Sequence, residues 1–181
     1  MSTLCYVIIA LLVFVQDATA RAVQQHPPMP PGVTHEEHLK QMEKDAELKR
    51  RGAGAMGFDQ EKTTHHFRVT PDGGAIEVTV AQASDTASLA QVRAHLKEIA
   101  AEFASGNFEK PFATHAETPP GVPTLQERRA AIRYGYRDLP NGGRVVIATK
   151  DIVARSALHD FLRYQIREHA TGDSTAVRPL R

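Results

Sequence analysis

Residues 56–80 read MGFDQEKTTHHFRVTPDGGAIEVTV, and they carry the clearest fold signal of the chain. Apolar and polar residues alternate on both sides of Pro71-Asp72-Gly73-Gly74, which is typical of two antiparallel strands joined by a tight turn. On the first strand, His65 and Phe67 share one face and His66 points to the other, because side chains alternate along a strand. The stretch therefore predicts a β-hairpin with one buried face.

The same pattern returns at residues 132–149, around Pro140-Asn141-Gly142-Gly143. Each hairpin precedes an amphipathic helix, the first running from Ser84 or Asp85 to Ser105 and the second from Asp151 to about His169. Apolar residues recur three and four positions apart along both helices, as in a helix with one buried face. We predict an α+β fold of duplicated ββα-ββα units, with a four-stranded antiparallel sheet and two helices on one face.

The N-terminus resembles an export signal. Residues 4–15 are apolar apart from the neutral Cys5 and Tyr6, a run too short to span a bilayer but typical of a signal peptide. Ala18-Thr19-Ala20 follows as a small-residue cleavage site. We predict that residues 1–20 are a signal peptide and that the protein is periplasmic or secreted. Residues 1–3 lack a basic residue, so an uncleaved N-terminal anchor is the alternative.

Charge and cysteine content exclude several classes of function. The chain has 181 residues with 22 basic and 21 acidic side chains, a net charge of +1. Removal of the signal peptide takes away one acidic residue, Asp17, and leaves +2. We therefore expect no nucleic acid partner and no membrane partner after cleavage. The one cysteine, Cys5, leaves with the signal peptide, so the mature chain has no disulfide and no thiolate ligand.

The remaining residues divide into three segments. Residues 21–55 are predicted to be a Pro-rich linker and a weak charged helix, with Thr34 and Glu37 as its capping box and Gly52-Ala53-Gly54-Ala55 as a hinge. Residues 56–170 form a single α+β domain, in which the Pro-rich residues 107–124 are a long loop. Residues 171–181 lack apolar periodicity and are predicted to be a disordered tail.

No catalytic motif is visible. There is no Gly-rich phosphate loop and no Gly-x-Ser-x-Gly elbow, and residues 35–38, His-Glu-Glu-His, lack the spacing of the zinc peptidase motif. A hydrolase that uses His65 as its base would have no visible nucleophile. We therefore predict no catalytic residue.

The nine histidines of the chain are the remaining candidates for a functional site. His65 faces the core side of its strand, and His159 flanks the buried face of the helix that should cover the sheet. His115 lies on a loop that joins the two halves. Three imidazoles suit copper or zinc, and the thioether of Met56 would suit Cu(I). We predict a metal site of His65, His115, His159 and Met56 in a carrier or sensor.

Three further residues are candidates for orienting a ligand or binding a partner: His66, Asp59 and His95. Asp59 precedes the hairpin, where its carboxylate would either orient a histidine ring or cap a turn. The alternative function is a metal-free exported binding module for a small ligand or partner protein, with His65 as an ordinary core histidine. The open edge of the sheet could also pair with a second copy to form a homodimer.

Three sequence segments resemble a group of small exported bacterial proteins of unassigned function. They are Met56-Gly57-Phe58-Asp59-Gln60 with Thr63-Thr64-His65-His66-Phe67, residues 159–165, and Thr171-Gly172-Asp173. The resemblance covers residues 56–173 and implies export. Some of these proteins carry the name aspartate carbamoyltransferase, which this sequence does not support. That enzyme family has two α/β domains in a chain about twice as long, with a Ser-Thr-Arg-Thr phosphate-binding motif that is absent here.

Overall fold

A computed structural model describes residues 31–180, so the predicted signal peptide and most of the Pro-rich linker lie outside the described residues. Within that part of the chain the fold is α+β, with four strands and five α-helices. The strands are β1 (Thr63–Thr70), β2 (Gly73–Val80), β3 (Ile132–Leu139) and β4 (Gly142–Thr149). The helices are α1 (His35–Met56), α2 (Thr86–Ser105), α3 (Glu109–His115), α4 (Val122–Glu127) and α5 (Ile152–Glu168).

The four strands form one antiparallel sheet in the order β1-β2-β4-β3, which confirms the predicted sheet. Each hairpin turn consists of two residues, Pro71-Asp72 and Pro140-Asn141. Gly73 and Gly142 are therefore not turn residues but the first residues of the returning strands.

These two glycines lie at opposite ends of the β2–β4 ladder, and each lies close to the backbone of the other strand. A Cβ atom on Gly73 would collide with the carbonyl oxygen of Ile147 in β4, and one on Gly142 with that of Val78 in β2. The absence of a side chain at both positions thus lets the two hairpins meet along the centre of the sheet.

Local capping residues set the ends of the long helices, as the sequence predicts. Asp85 caps α2 by accepting a hydrogen bond from the Ser88 amide at 3.0 Å, and Gly106 ends it with φ +85°. Asp151 caps α5 through the amide of Val153 at 2.8 Å. The predicted capping box of α1 is also present, with the Glu37 carboxylate accepting from the Thr34 amide at 2.9 Å.

The predicted hinge at residues 52–55 is wrong, because α1 continues through it to Met56. Gly52 is buried, and its missing side chain leaves room for Gln60, which packs against this turn of the helix. The Gln60 amide donates to the carbonyl of Lys49 at 3.1 Å and so fastens the following segment to the helix.

The predicted loop at residues 107–124 contains α3 and the start of α4. Pro111 lies in the first turn of α3 and Pro123 in the first turn of α4, where a backbone N–H has no partner within the helix. Proline content alone therefore did not distinguish short helices from loop.

Residues 171–180 have no helix or strand, yet hydrogen bonds hold them to the domain. The Arg178 amide donates to the carbonyl of Val69 on β1 at 2.9 Å, and the Arg163 guanidinium donates to the carbonyl of Thr175 at 3.1 Å. This corrects the prediction of a disordered tail over those residues. Polar bonds of this kind leave no apolar periodicity in the sequence.

Candidate functional site

Four histidines line one cavity: His65 on β1, His95 on α2, His115 at the end of α3 and His169 directly after α5. The cavity has a volume of about 60 Å³, room for about four water molecules. Its remaining wall is mostly apolar and includes Phe67, Ile76, Val78, Leu96, Ile99, Phe103 and Phe161. We call it the histidine cavity.

Strand and helix periodicity bring these rings to the same place. His65 alternates with outward-facing residues on β1 and so lies on the same face as the buried Phe67. His95 precedes the buried Leu96 on α2. His169 lies three residues after the buried Ile166, so it extends the buried face of α5 beyond the end of the helix.

The rings form a continuous chain of contacts. His169 has its ring centroid 5.9 Å from that of His65 and 5.1 Å from that of His115. The His65 and His169 rings are nearly parallel, at 10°, whereas His115 and His169 meet at 80°. Phe58 joins His95 to this row, with centroid distances of 5.2 Å to His95 and 5.8 Å to His65.

The surroundings keep all four imidazoles neutral at pH 7. Burial lowers the pKa of His65 and of His95 from 6.5 to about 4, and that of His169 to about 3. The apolar walls disfavour the charged imidazolium, and neighbouring histidines add a smaller effect of the same sign at His65 and His169. Burial also lowers the pKa of His115, against the opposing effect of its hydrogen bond to Gln165.

The Gln165 amide sets the tautomer of His115. Its Oε1 atom lies 3.0 Å from Nε2 of His115, and an amide oxygen only accepts hydrogen bonds, so in this orientation of the amide Nε2 carries the proton. The Nδ1 atom then has a lone pair, and it is buried without a hydrogen-bond partner among residues 31–180. The Nε2 amide group of Gln165 is likewise buried and unpaired within the described chain. Unmet hydrogen-bonding capacity in a buried pair is costly, so this end of the cavity is a candidate place for a water molecule or a ligand.

The structure brings together three of the four predicted metal ligands. His65, His115 and Met56 line the histidine cavity, and so does His95. His159 does not: its Nε2 atom lies 3.0 Å from the carbonyl oxygen of Thr70, beside the β1–β2 turn. His169 lies beside His65 instead.

His169 and Gln165 were missed by sequence reasoning, although a signal for His169 exists. Leu162, Ile166 and His169 follow the four-and-three spacing of a buried helix face. His159 lies three residues before Leu162, so the sequence allows either histidine, and only the direction of the helix over the sheet separates them. Gln165 carried no signal, because a glutamine inside a helix is ordinarily a surface residue.

His66 and Asp59 lie outside the cavity. The Nδ1 atom of His66 lies 3.0 Å from the carboxylate of Asp173, on the opposite face of β1 from His65. The Asp59 carboxylate caps the short 3₁₀-helix Gln60–Lys62 by accepting from the Glu61 amide at 2.9 Å. Of the two roles considered for Asp59, capping is the one that a hydrogen bond supports.

In the described conformation, residues 31–180 contain no group of three or more His, Cys, Asp or Glu side chains with the geometry of a metal site. Nor does any helix in that range have the length and apolar character needed to cross a membrane. Comparison with known proteins adds nothing to these observations: no protein-family model matches the chain, and no curated protein or solved structure matches it.

Proposed function

We propose that the protein is an exported metal-binding domain, in which the histidine cavity holds a copper or zinc ion in a carrier or sensor role. One observation carries the proposal: the Nδ1 lone pair of His115, which is buried, neutral and unpaired within the described chain. An imidazole nitrogen in this state is a metal ligand that needs no deprotonation.

The spacing of the rings supports this choice. Two imidazoles bound to one tetrahedral ion through nitrogens at about 2 Å have ring centroids roughly 5 Å apart. His115 and His169 are separated by 5.1 Å. A third ligand would come from a rotation of the His65 ring or from the thioether of Met56, because the conformation described has no three-ligand group.

The chemistry of the cavity wall favours copper over the harder ions. None of the described residues that line it is Asp or Glu, which excludes the carboxylate ligands that Mg²⁺ and Ca²⁺ prefer. Neutral imidazoles with a nearby thioether suit Cu(I), and imidazoles alone suit Cu(II) or Zn²⁺.

The test is a titration of untagged protein with Cu(I), Cu(II) and Zn(II), followed by calorimetry and by thermal melts. We expect one bound ion and a higher melting temperature with metal, because the ion binds only the native state. His115→Ala should weaken binding at least about tenfold, since even residues that only support a ligand typically contribute that much. His159→Ala is the matched control, because its ring bonds to Thr70 away from the cavity. No binding to the wild type, or equal binding by both variants, would refute the proposal.

The second candidate function is a metal-free exported binding module for a small ligand. The lack of a three-ligand group among residues 31–180 and the largely apolar wall favour it. A cavity of about 60 Å³ would take only a small group, such as the end of a ligand that hydrogen-bonds to His115 and Gln165. Native mass spectrometry separates the two candidates, because a co-purifying mass that survives chelation is not a metal.

Export is part of the same proposal, supported by the apolar run at residues 4–15 and the small residues at 18–20. We expect the exported product to begin at Arg21. N-terminal sequencing of the protein recovered outside the cytoplasm checks this, and an intact Met1 on membrane-bound protein would contradict it.

We also propose that the domain arose by duplication of a ββα unit, with α2 and α5 on the same face of the sheet. Both hairpins share the turn pattern Pro-Asp/Asn-Gly-Gly. A side chain on Gly74 would meet Leu162 of α5, and one on Gly143 would meet Leu96 of α2. Equivalent glycines thus lie under a leucine from the helix of the other half.

A further inference from the structure

The carboxylate of Asp173 is the most heavily hydrogen-bonded side chain of the C-terminal segment. It accepts from the Arg68 guanidinium at 2.7 Å, the Thr171 hydroxyl at 2.8 Å and the Phe67 amide at 3.0 Å. The Nδ1 atom of His66 lies 3.0 Å from it as well. Only 5% of the Asp173 side chain is exposed to solvent. A buried carboxylate with this many donors fixes its backbone firmly.

The bonds of Asp173 join two segments that build the histidine cavity. Three of its donors are consecutive residues of β1, His66, Phe67 and Arg68. The inner face of the same strand carries His65 and Phe67. Asp173 itself follows His169 by four residues, and two residues between them, Ala170 (φ +47°) and Gly172 (φ +72°), have left-handed backbone conformation.

His169 lies between the end of α5 and this segment. It lies directly after the last residue of α5, and its amide donates to the carbonyl of Gln165 at 3.0 Å. Its ring packs 5.6 Å from that of Phe67 and 5.9 Å from that of His65. Helix ends fray unless other contacts hold them, and the hydrogen bonds of Asp173 hold the residues just after this end to β1.

We propose that Asp173 is a positioning residue, which clamps the segment after α5 onto β1 and thereby holds the His169 ring inside the histidine cavity. Its effect on ligand binding rests on the proposed function, whereas its effect on the His169 ring does not.

The charges around the clamp keep it closed at neutral pH. Burial alone would raise the pKa of Asp173, but its hydrogen bonds with the Phe67 amide, Thr171 and His66, together with the charge of Arg68, lower it below the ordinary value. Glu77 is the other acidic group of this face, 3.9 Å from Arg68 and 2.8 Å from Arg144. The carboxylate therefore remains ionised while its donors stay in place.

The test compares full-length wild type with Asp173→Asn, which preserves size but removes the negative charge and replaces one acceptor oxygen by an N–H₂ donor. NMR measures the nuclear Overhauser effects between the His169 ring and the Phe67 and His115 rings. We expect these effects to weaken or vanish in Asp173→Asn. Asp160→Asn is the charge-matched control, because its carboxylate is exposed and pairs only with Arg163 at 3.7 Å among the described contacts. Arg163→Gln controls for loosening of the tail beyond Asp173.

A second measurement separates positioning from general stability. If the metal binds, Asp173→Asn should weaken binding by about tenfold or more in the wild type, and have no effect when His169 is already alanine. Additive losses would mean that Asp173 acts elsewhere. If wild type binds no metal, the proposed function fails while the ring contacts still decide the role of Asp173. Unchanged contacts in Asp173→Asn would overturn the inference. Should that variant not fold, Thr171→Val, which removes the two bonds of the Thr171 hydroxyl to the carboxylate and amide of Asp173, decides by the same criterion.

Discussion

We expect the protein to lose several kcal/mol of stability between pH 6.5 and pH 4. His65, His95 and His169 have folded-state pKa values of about 4, 4 and 3, below the 6.5 of an unfolded chain. In this window the unfolded state binds protons that the folded state excludes, so unfolding becomes more favourable as the pH falls. The stabilising contribution is complete above pH 6.5 and is lost as the pH falls toward 4. A pKa lowered from 6.5 to about 4 corresponds to about 3 kcal/mol for one histidine.

Urea unfolding at pH 7.5, 6.5, 5.5 and 4.5, followed by circular dichroism, measures this dependence. His95→Gln should flatten the dependence by removing one of the buried imidazoles. His35→Gln should leave it intact, because His35 is exposed on the first turn of α1. A stability that stays constant from pH 7.5 to 4.5 would mean that the rings are not buried as described.

Gly142→Ala should cost at least about 3 kcal/mol, the upper range for overpacking, because the new methyl group would collide with main-chain atoms of Val78 and Thr79 on β2. Backbone atoms in the middle of a sheet cannot move aside as a flexible side chain can. Gly73→Ala should be at least as harmful, since its methyl group would meet the carbonyl of Ile147 and its φ of +148° disfavours any other residue.

The chain offers a matched control in Gly135, on the edge strand β3, where an added Cβ atom would meet nothing within 4 Å. Gly135→Ala should be neutral or stabilise by up to about 1 kcal/mol, because glycine loses more conformational freedom on folding than alanine does. Equal melting of Gly142→Ala and Gly135→Ala would contradict the close approach of β2 and β4.

The sheet could be predicted because its signals are local. Alternation at residues 63–80 and 132–149 depends only on neighbouring side chains, and helix ends at Asp85 and Gly106 depend on bonds within one turn. The role of the glycines was harder to predict. The sequence suggests that Gly142 belongs to a turn. In the structure, glycine is needed there because β2, more than 60 residues earlier in the chain, leaves no room for a side chain.

The site could be predicted only in part, for a related reason. The alternation of side chains along β1 places His65 on the inner face. This alternation does not predict whether His159 or His169 contacts His65, since both lie near the same face of α5. The bonds of Asp173 to residues 66–68 span more than 100 positions of sequence. A single sequence contains no signal for such a contact.

The strand order β1-β2-β4-β3 also bears on how the cavity comes into being. Both hairpins close over two-residue turns, whereas the β2–β4 ladder joins residues roughly 60 to 75 positions apart. Closing such a long loop is entropically costly, so we expect this pairing to be the slow event of folding. The histidine cavity takes walls from β1, β2, α2, α3 and α5, and hence exists only after that event. A ligand in it would therefore slow unfolding without speeding folding, because the transition state offers it no place to bind.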